Sequence, residues 1–492
     1  MRDRRTAFLL FLCLNCLYIL TSSGRPRTSD EYMTLFQTES LIERRSTAVP
    51  QSLGTQNFYG KFDVQGQPRS PYPAGQAILA VPYVWFGRNV LARLPGIPAG
   101  ATAAFYLDGF AATLSSATCA AAAMSVFFLL LRRLTLRTRD SLILTACVAF
   151  GTLLFPYSGY FFSEPLAALL LIGATYVLFG REAAPTRTQA VTAGIFLGLA
   201  GWVRPTLFLA LLVFLLAIIL RGGARCWKFA ALTAIFPAAS ALAYLTWNQH
   251  LFGRVLDFGY PETAEFGKHL NTFQTPFYVG LAGFLVSPGK SIFLYSPLLV
   301  AAIFGMRSLW RRDRGLATLC AGLPLLYLLF YMRYTQWEGG YCNGPRYLLP
   351  SIVVSCLALG PLMQSRTTRH VIAVLAVLGF LVQAVTYSTS FLEDQVGGGG
   401  YYDARFNYRL AYDPIITQAQ RSLAYVSGKA APLGLGFDRW FIFLQKLGIS
   451  AGTLVVIAVL PLTLALWSFS ALWRVWYAPE LGTENRTLAS NH

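Results

Sequence analysis

The sequence predicts an all-α polytopic membrane protein. Three observations carry this: 55% of the 492 residues are hydrophobic, only 13% are charged, and apolar segments near the length a bilayer demands recur along the chain. Such a composition excludes a soluble globular class. The formal charge of +18 is compatible with nucleic acid, anionic lipid or membrane topology as its cause. Its basic residues sit in short turns between apolar segments and not in one patch, which favours topology and argues against a nucleic-acid partner.

Met1–Arg5 with the apolar run Thr6–Thr21 suits either a secretory signal or a first spanning helix, and an uncleaved helix is expected. Glu31–Arg45 reads as an amphipathic, interfacial helix. Residues 76–94, apolar but interrupted by Pro82, Gly87, Arg88 and Arg93, read as a re-entrant or interfacial segment. Spanning segments follow near 101–131, 141–160, 164–180, 189–203, 206–220, 228–246, 290–309, 315–332, 346–363, 370–390 and 449–474. With the first, about twelve transmembrane helices are expected.

Loop charges orient them. Arg132, Arg133, Arg137 and Arg139 share one turn; Arg181 and Arg187 share another; Arg221, Arg225 and Lys228, then Arg307, Arg311, Arg312 and Arg314, then Arg366 and Arg369 follow. By the positive-inside rule these turns and both termini are cytoplasmic. The long loops 24–100, 247–289 and 391–448 then all lie outside. The expected division is a transmembrane catalytic unit over 1–390 that includes the first outer loop, an extracytoplasmic loop over 391–448, and a last helix with a cytoplasmic tail over 449–492.

Mass gathered at one membrane face suggests a reaction there. A sugar carried on a polyprenyl phosphate presents an apolar tail to the bilayer and a charged head to that surface. An enzyme using it needs a carboxylate base, cations for the phosphate and a greasy groove. Asp30 and Glu31, directly after the first apolar segment, are the candidate base, although a helix cap is also open for Asp30. Glu164, in Ser163-Glu164-Pro165, is a second outer carboxylate, equally compatible with opening the next helix. The outward cations are Arg204, Lys290, Arg333 and Arg346; of these Arg204 stands out, because it interrupts an apolar hairpin with almost no loop. Ser287-Pro-Gly-Lys-Ser291 is not a phosphate-binding P-loop, since it lacks the first glycine and the preceding strand. Tyr72, Tyr347, Tyr401 and Tyr402 are candidate substrate-binding aromatics, with a membrane-interface belt as the alternative. The histidines His250, His269, His370 and His492 form no metal-ligand spacing. No cofactor is expected, and a divalent metal stays open.

In order along the chain, these motifs resemble the GT-C superfamily of membrane glycosyltransferases, in particular bacterial proteins similar to protein O-mannosyltransferases and lipid A aminoarabinose transferases. The motifs are Asp30-Glu31, Ser70 to Gly75, Ser163-Glu164-Pro165, Arg204-Pro205-Thr206, Ser287 to Pro297 and Gly344 to Pro350. They cover most of residues 1–350. The resemblance implies an inverting, metal-independent transfer from a polyprenyl-phosphate sugar to a glycan, lipid or protein acceptor at the outer face of a bacterial inner membrane. Asp30 would be the catalytic base. Where the family often has Ser-Lys-Tyr-Pro-Pro-Gly, this chain reads Ser70-Pro71-Tyr72-Pro73-Ala74-Gly75, so Arg69 or Lys61 is expected to supply the missing cation. A transporter of lipid-linked sugars and an O-antigen ligase or polymerase remain the alternatives.

Overall fold

A computed structural model describes residues 2–55, 58–134, 136–179, 185–261, 273–392, 407–428 and 436–477. The protein is all-α, and its one described sheet is a two-residue hairpin, β1 (Lys61–Phe62) with β2 (Pro68–Arg69), paired antiparallel as Lys61 with Arg69 and Phe62 with Pro68. In chain order the helices are α1 (Arg2–Thr21), α2 (Ser29–Arg44), α3 (Gly75–Asn89), α4 (Ala101–Arg133), α5 (Thr138–Gly151), α6 (Leu154–Tyr157), α7 (Glu164–Leu178), α8 (Arg187–Val203), α9 (Ala210–Gly222) and α10 (Trp227–Phe252). There follow α11 (Phe277–Val286), α12 (Ile292–Tyr295), α13 (Leu298–Arg312), α14 (Arg314–Tyr331), α15 (Leu349–Ser355), α16 (Arg366–Thr386), α17 (Pro414–Val426), α18 (Trp440–Lys446) and α19 (Ala451–Tyr477).

Among the described residues, eight helical segments are long and apolar enough to cross a membrane: Arg2–Thr21, Ala101–Arg133, Pro205–Gly222, Trp227–Phe252, Arg314–Tyr331, Arg346–Gln364, Arg366–Thr386 and Ala451–Tyr477. The other four expected spans carry the shorter helices α5, α7, α8 and α13. Two of them are broken by sequence. The segment near 141–160 is interrupted at Thr152, whose backbone is extended, and that near 290–309 at Ser296-Pro297. Both breaks lie inside the protein, where Thr152 and Ser296 are fully buried, as a non-helical backbone in a bundle requires. The α3 helix has 15 residues, roughly 22 Å at the helical rise, too short for the hydrocarbon core. Residues 33–40 of α2 are buried by protein, so this amphipathic helix is sandwiched between α3, α4 and the first long loop instead of lying open on a surface.

The main core joins α1 to helices α4 through α16, while α2 and α3 contribute to two smaller clusters around Leu35, Ala80 and Val84 and around Met33 and Phe36. The first helix packs on α4 and α19, α4 on α7, α7 on α8, α8 on α10, α9 on α14, and α5 on α16. Small residues permit the close crossings. At Gly75, the first residue of α3, a Cβ would lie 2.6 Å from the Trp202 carbonyl oxygen. The first long loop is thereby seated directly on the end of α8, beside Arg204.

The turn between α1 and α2 is locked to a distant part of the chain. Asp438 accepts from Arg25 Nε at 3.1 Å and from Arg27 Nε at 2.9 Å, and the Arg27 guanidinium lies over the Tyr160 ring at 4.1 Å. The Trp440 amide donates to the Ser22 carbonyl at 3.0 Å. Burial opposes ionisation of Asp438, but Arg27 and Arg25 hold its carboxyl below the ordinary range. Asp438→Asn removes the charge that compensates two buried guanidiniums. A destabilisation of about 3 kcal/mol is expected, read as a lowered thermal midpoint and reduced yield of the detergent-solubilised protein.

Candidate active site

Glu31, not Asp30, holds the start of α2. The helix begins at Ser29 with Thr28 as its N-cap, which puts Glu31 at the third helical position, where a glutamate folds back on the cap. Its carboxylate accepts from the amides of Arg27 (2.9 Å), Thr28 (3.3 Å) and Phe161 (3.0 Å), and from the Arg27 guanidinium (3.3 Å). It is fully buried and lies off the cavity described below. The expected helper is a structural residue of the turn, fixing the backbone on which Asp30 stands.

Asp30, one residue earlier, points the other way. Its side chain is 23% exposed and faces a cavity of about 710 Å³. One carboxylate oxygen accepts from the Tyr72 hydroxyl at 2.7 Å, and the other meets Arg346 Nη2 at 2.7 Å. Burial, and then the neighbouring Asp30 charge, keep the Tyr72 phenol well above its ordinary range, so Tyr72 serves as the donor in this bond. The Tyr72 backbone is itself fixed, because Gln37 Nε2 donates to its carbonyl at 3.0 Å.

Glu164 is the first residue of α7, with Ser163 as N-cap and Pro165 behind it. It was expected as a second carboxylate and it lines the same cavity. Arg204, at the end of α8, donates to its Oε1 at 2.9 Å, and Arg346 Nε stands 4.0 Å from the same oxygen. The other oxygen, Oε2, is buried with no hydrogen-bond partner. Arg346 therefore sits between the two carboxylates, and the four groups form the row Asp30, Arg346, Glu164, Arg204. Both guanidiniums also lie on aromatic faces, Arg346 at 5.0 Å from the Phe162 ring centre and Arg204 at 5.0 Å from that of Tyr347. The row has equal numbers of positive and negative groups, which is what makes its burial tolerable. An anion arriving in the cavity competes with the carboxylates for guanidiniums that are already in place.

The remaining wall is aromatic. Tyr347 stacks on Tyr331 with ring centres 4.2 Å apart. Tyr59 stacks on Tyr72, and Tyr260 meets both edge-on. Phe258, Phe273 and Phe330 extend the lining away from the charges. Seven tyrosines and six phenylalanines in one lining suit a ligand with both hydroxyl-bearing and apolar parts. Tyr59, Tyr260, Tyr331 and Tyr334 were not expected from the sequence; a Tyr-Gly pair at 59–60 and a Tyr-Pro pair at 260–261 were the only local signals.

The other expected cations are elsewhere. Lys61 is 2.7 Å from Asp257, and Arg69 is 2.7 Å from Asp63 with Thr47 as a further acceptor; both belong to the hairpin and neither lines the cavity. Arg333 is exposed and also off the lining. Lys290 is 2% exposed, with its ammonium turned toward backbone carbonyls and not toward the cavity. Neither Lys61 nor Arg69 reaches the cavity, and among the described residues the cations that line it are Arg204 and Arg346. Tyr401 and Tyr402 lie outside the described residues. Among the described residues no group of three His, Cys, Asp or Glu side chains is placed to hold a metal ion.

Two carboxyls that the sequence did not flag titrate near neutrality. Burial, and next the Asp108 charge, push Glu39 up to about 7. Burial pushes Glu338 up to about 7 against the opposing pull of its own amide, Lys290 and Arg346. Each binds its proton more tightly folded than unfolded, so each weakens the fold as pH rises from about 4.5 to about 7. Replacing both by glutamine should raise the thermal midpoint at pH 8, leave it unchanged at pH 4, and flatten the dependence between. The effect is on the order of 1–3 kcal/mol per site.

No protein-family model and no curated protein matches this chain. Among solved structures, it is similar to the crystal structure of ArnT from Cupriavidus metallidurans in the apo state, at 12% identity and a TM-score of 0.49, over 94% of this chain and 76% of that one.

Proposed function

We propose that the chain is a membrane glycosyltransferase that moves a sugar from a polyprenyl-phosphate donor to an acceptor hydroxyl at the outer face of a bacterial inner membrane. The observation that carries this reading is the row of Asp30, Arg346, Glu164 and Arg204 on the wall of one aromatic cavity. A base, a pair of cations and an apolar extension meet there, which is the set that such a donor needs. The GT-C resemblance of the motifs supports the same reading.

The donor phosphate competes for Arg346 and Arg204, and as Arg346 turns to it, the second oxygen of Asp30 is released. Tyr72 keeps the carboxylate aimed through the first oxygen. An acceptor hydroxyl placed against Asp30 gives up its proton to the carboxylate while its oxygen bonds to the anomeric carbon. The bond from that carbon to the phosphate oxygen breaks, and the electron pair leaves with the polyprenyl phosphate, stabilised by the two guanidiniums. Attack opposite to the leaving group inverts the anomeric centre. The acceptor is a glycan, lipid or protein hydroxyl.

The test is transfer by the purified protein in vesicles supplied with a labelled sugar on polyprenyl monophosphate or on polyprenyl pyrophosphate. Product from the monophosphate donor alone is expected. Product from the pyrophosphate donor alone would favour a ligase- or polymerase-like reaction, and movement of intact lipid with no new glycosidic bond would favour a transporter.

A further inference from the structure

Arg346 owes its position to a stretch of irregular backbone, Cys342 to Pro345, that is buried in the protein. Carbonyl groups in such a stretch need partners, and three consecutive ones have them. The Asn343 carbonyl accepts from the Tyr157 hydroxyl at 2.8 Å. Those of Cys342 and Gly344 accept from Lys290 Nζ at 3.0 and 3.3 Å, with the Cys342 sulfur also 3.3 Å from this ammonium. Gly344 adopts φ +56°, and a Cβ there would come within 2.8 Å of both Leu153 and Tyr295. Its carbonyl accepts a second bond, from the Arg346 amide at 3.1 Å. The ammonium of Lys290 and the backbone of Arg346 thus meet on one oxygen.

Lys290 is itself rigidly presented. It lies in the elbow between α11 and α12, where Ser287 Oγ accepts the Lys290 amide at 3.1 Å and donates to the Gly283 carbonyl at 2.8 Å. The Ser291 amide closes the turn on the Ser287 carbonyl at 3.0 Å. A charged side chain at 2% exposure would be costly if it only filled space.

We propose that Lys290 is a positioning residue for Arg346, fixing the Cys342–Gly344 turn so that one guanidinium reaches both Asp30 and Glu164. Its ammonium supplies what no neutral donor at this place can: strong bonds to two carbonyls and a sulfur from a single atom. A displacement of the guanidinium by about 1 Å is enough to cost roughly a hundredfold in rate. The kinetic part of this inference rests on the transferase reading; the structural part does not.

The test uses the full-length protein with Lys290→Gln, which keeps a neutral donor, and Lys290→Met, each alone and with Arg346→Lys. The first readout is hydrogen exchange of the peptide over 342–348. Faster exchange there in Lys290→Gln, with the helices around it unchanged, is the expected result, and unchanged exchange overturns the proposal whatever the chain transfers. The second is transfer kinetics: Lys290→Gln should lose about tenfold to a hundredfold in kcat/KM, chiefly through donor KM, and less than about threefold further in the Arg346→Lys background. The same loss in both backgrounds, or wild-type kinetics for Lys290→Met, also overturns it. A wild-type protein that neither transfers sugar nor binds undecaprenyl phosphate in a thermal-shift assay overturns the transferase reading instead, and leaves the exchange result to judge Lys290.

Discussion

Asp30→Asn should reduce sugar transfer by at least about a thousandfold, the upper part of the range that one general base contributes, with expression and donor affinity retained. Asparagine keeps the shape and can still accept the Tyr72 hydroxyl. It has no oxygen basic enough to take a proton from the acceptor. Losing this charge leaves two guanidiniums with one carboxylate and should lower the thermal midpoint, but Arg346 keeps Glu164 at 4.0 Å and α2 is held by Glu31 through three backbone amides, so the site stays assembled. Donor binding should change by less than about threefold, since the phosphate contacts assigned to Arg204 and Arg346 remain. Measuring kcat and donor affinity separately distinguishes this from misfolding. Loss of donor binding in parallel with activity would move Asp30 from chemistry to structure.

Arg346→Lys is the second large effect expected. Arginine here spans 2.7 Å to Asp30 from one nitrogen and 4.0 Å to Glu164 from another while lying on two rings, Phe162 and Tyr347. A lysine ammonium is a single point and cannot bridge the two carboxylates or stack on the rings in the same way. The charge is kept, so the protein should fold. Transfer should fall by about a hundredfold to a thousandfold, the scale found when a preorganised stabiliser of developing charge is lost, with donor KM rising as well. Unlike Asp30→Asn, this variant should fail on both binding and rate, and the contrast between the two tests the division of labour.

How much of this was legible in the sequence depends on the range of the interaction. The apolar segments and their basic turns are local properties, and the all-α bundle follows from them. Asp30, Glu164, Arg204 and Arg346 each stand at an apolar segment boundary on the side opposite the basic turns, so the alternation of helices brings them to one end of the bundle. The cap role of Glu31 was hidden by a two-residue uncertainty in where α2 begins; with the start at Ser29 instead of Glu31, cap and base separate. Lys61, Arg69 and Lys290 were expected, with Arg204, as cations for the donor phosphate. Their partners are Asp257, Asp63 and the carbonyls of residues 342 and 344, and for Lys61 and Lys290 these lie far along the chain. Arg25, Arg27 and Asp438 were invisible for the same reason, since more than four hundred residues separate the arginines from their carboxylate. At Pro71, where a cation for the phosphate was expected, neither proposed substitute reaches the cavity: Arg69 pairs with Asp63 and Lys61 with Asp257, and the cations on its described lining are Arg204 and Arg346.

The most direct test of the central claim is an intact-lipid mass spectrum of material that co-purifies with the wild-type protein and with Asp30→Asn. A polyprenyl monophosphate should be found with both, and the fraction still carrying its sugar should be higher in Asp30→Asn, which binds the donor without consuming it. Absence of any prenyl lipid from both preparations, or prenyl pyrophosphate species alone, would contradict the account.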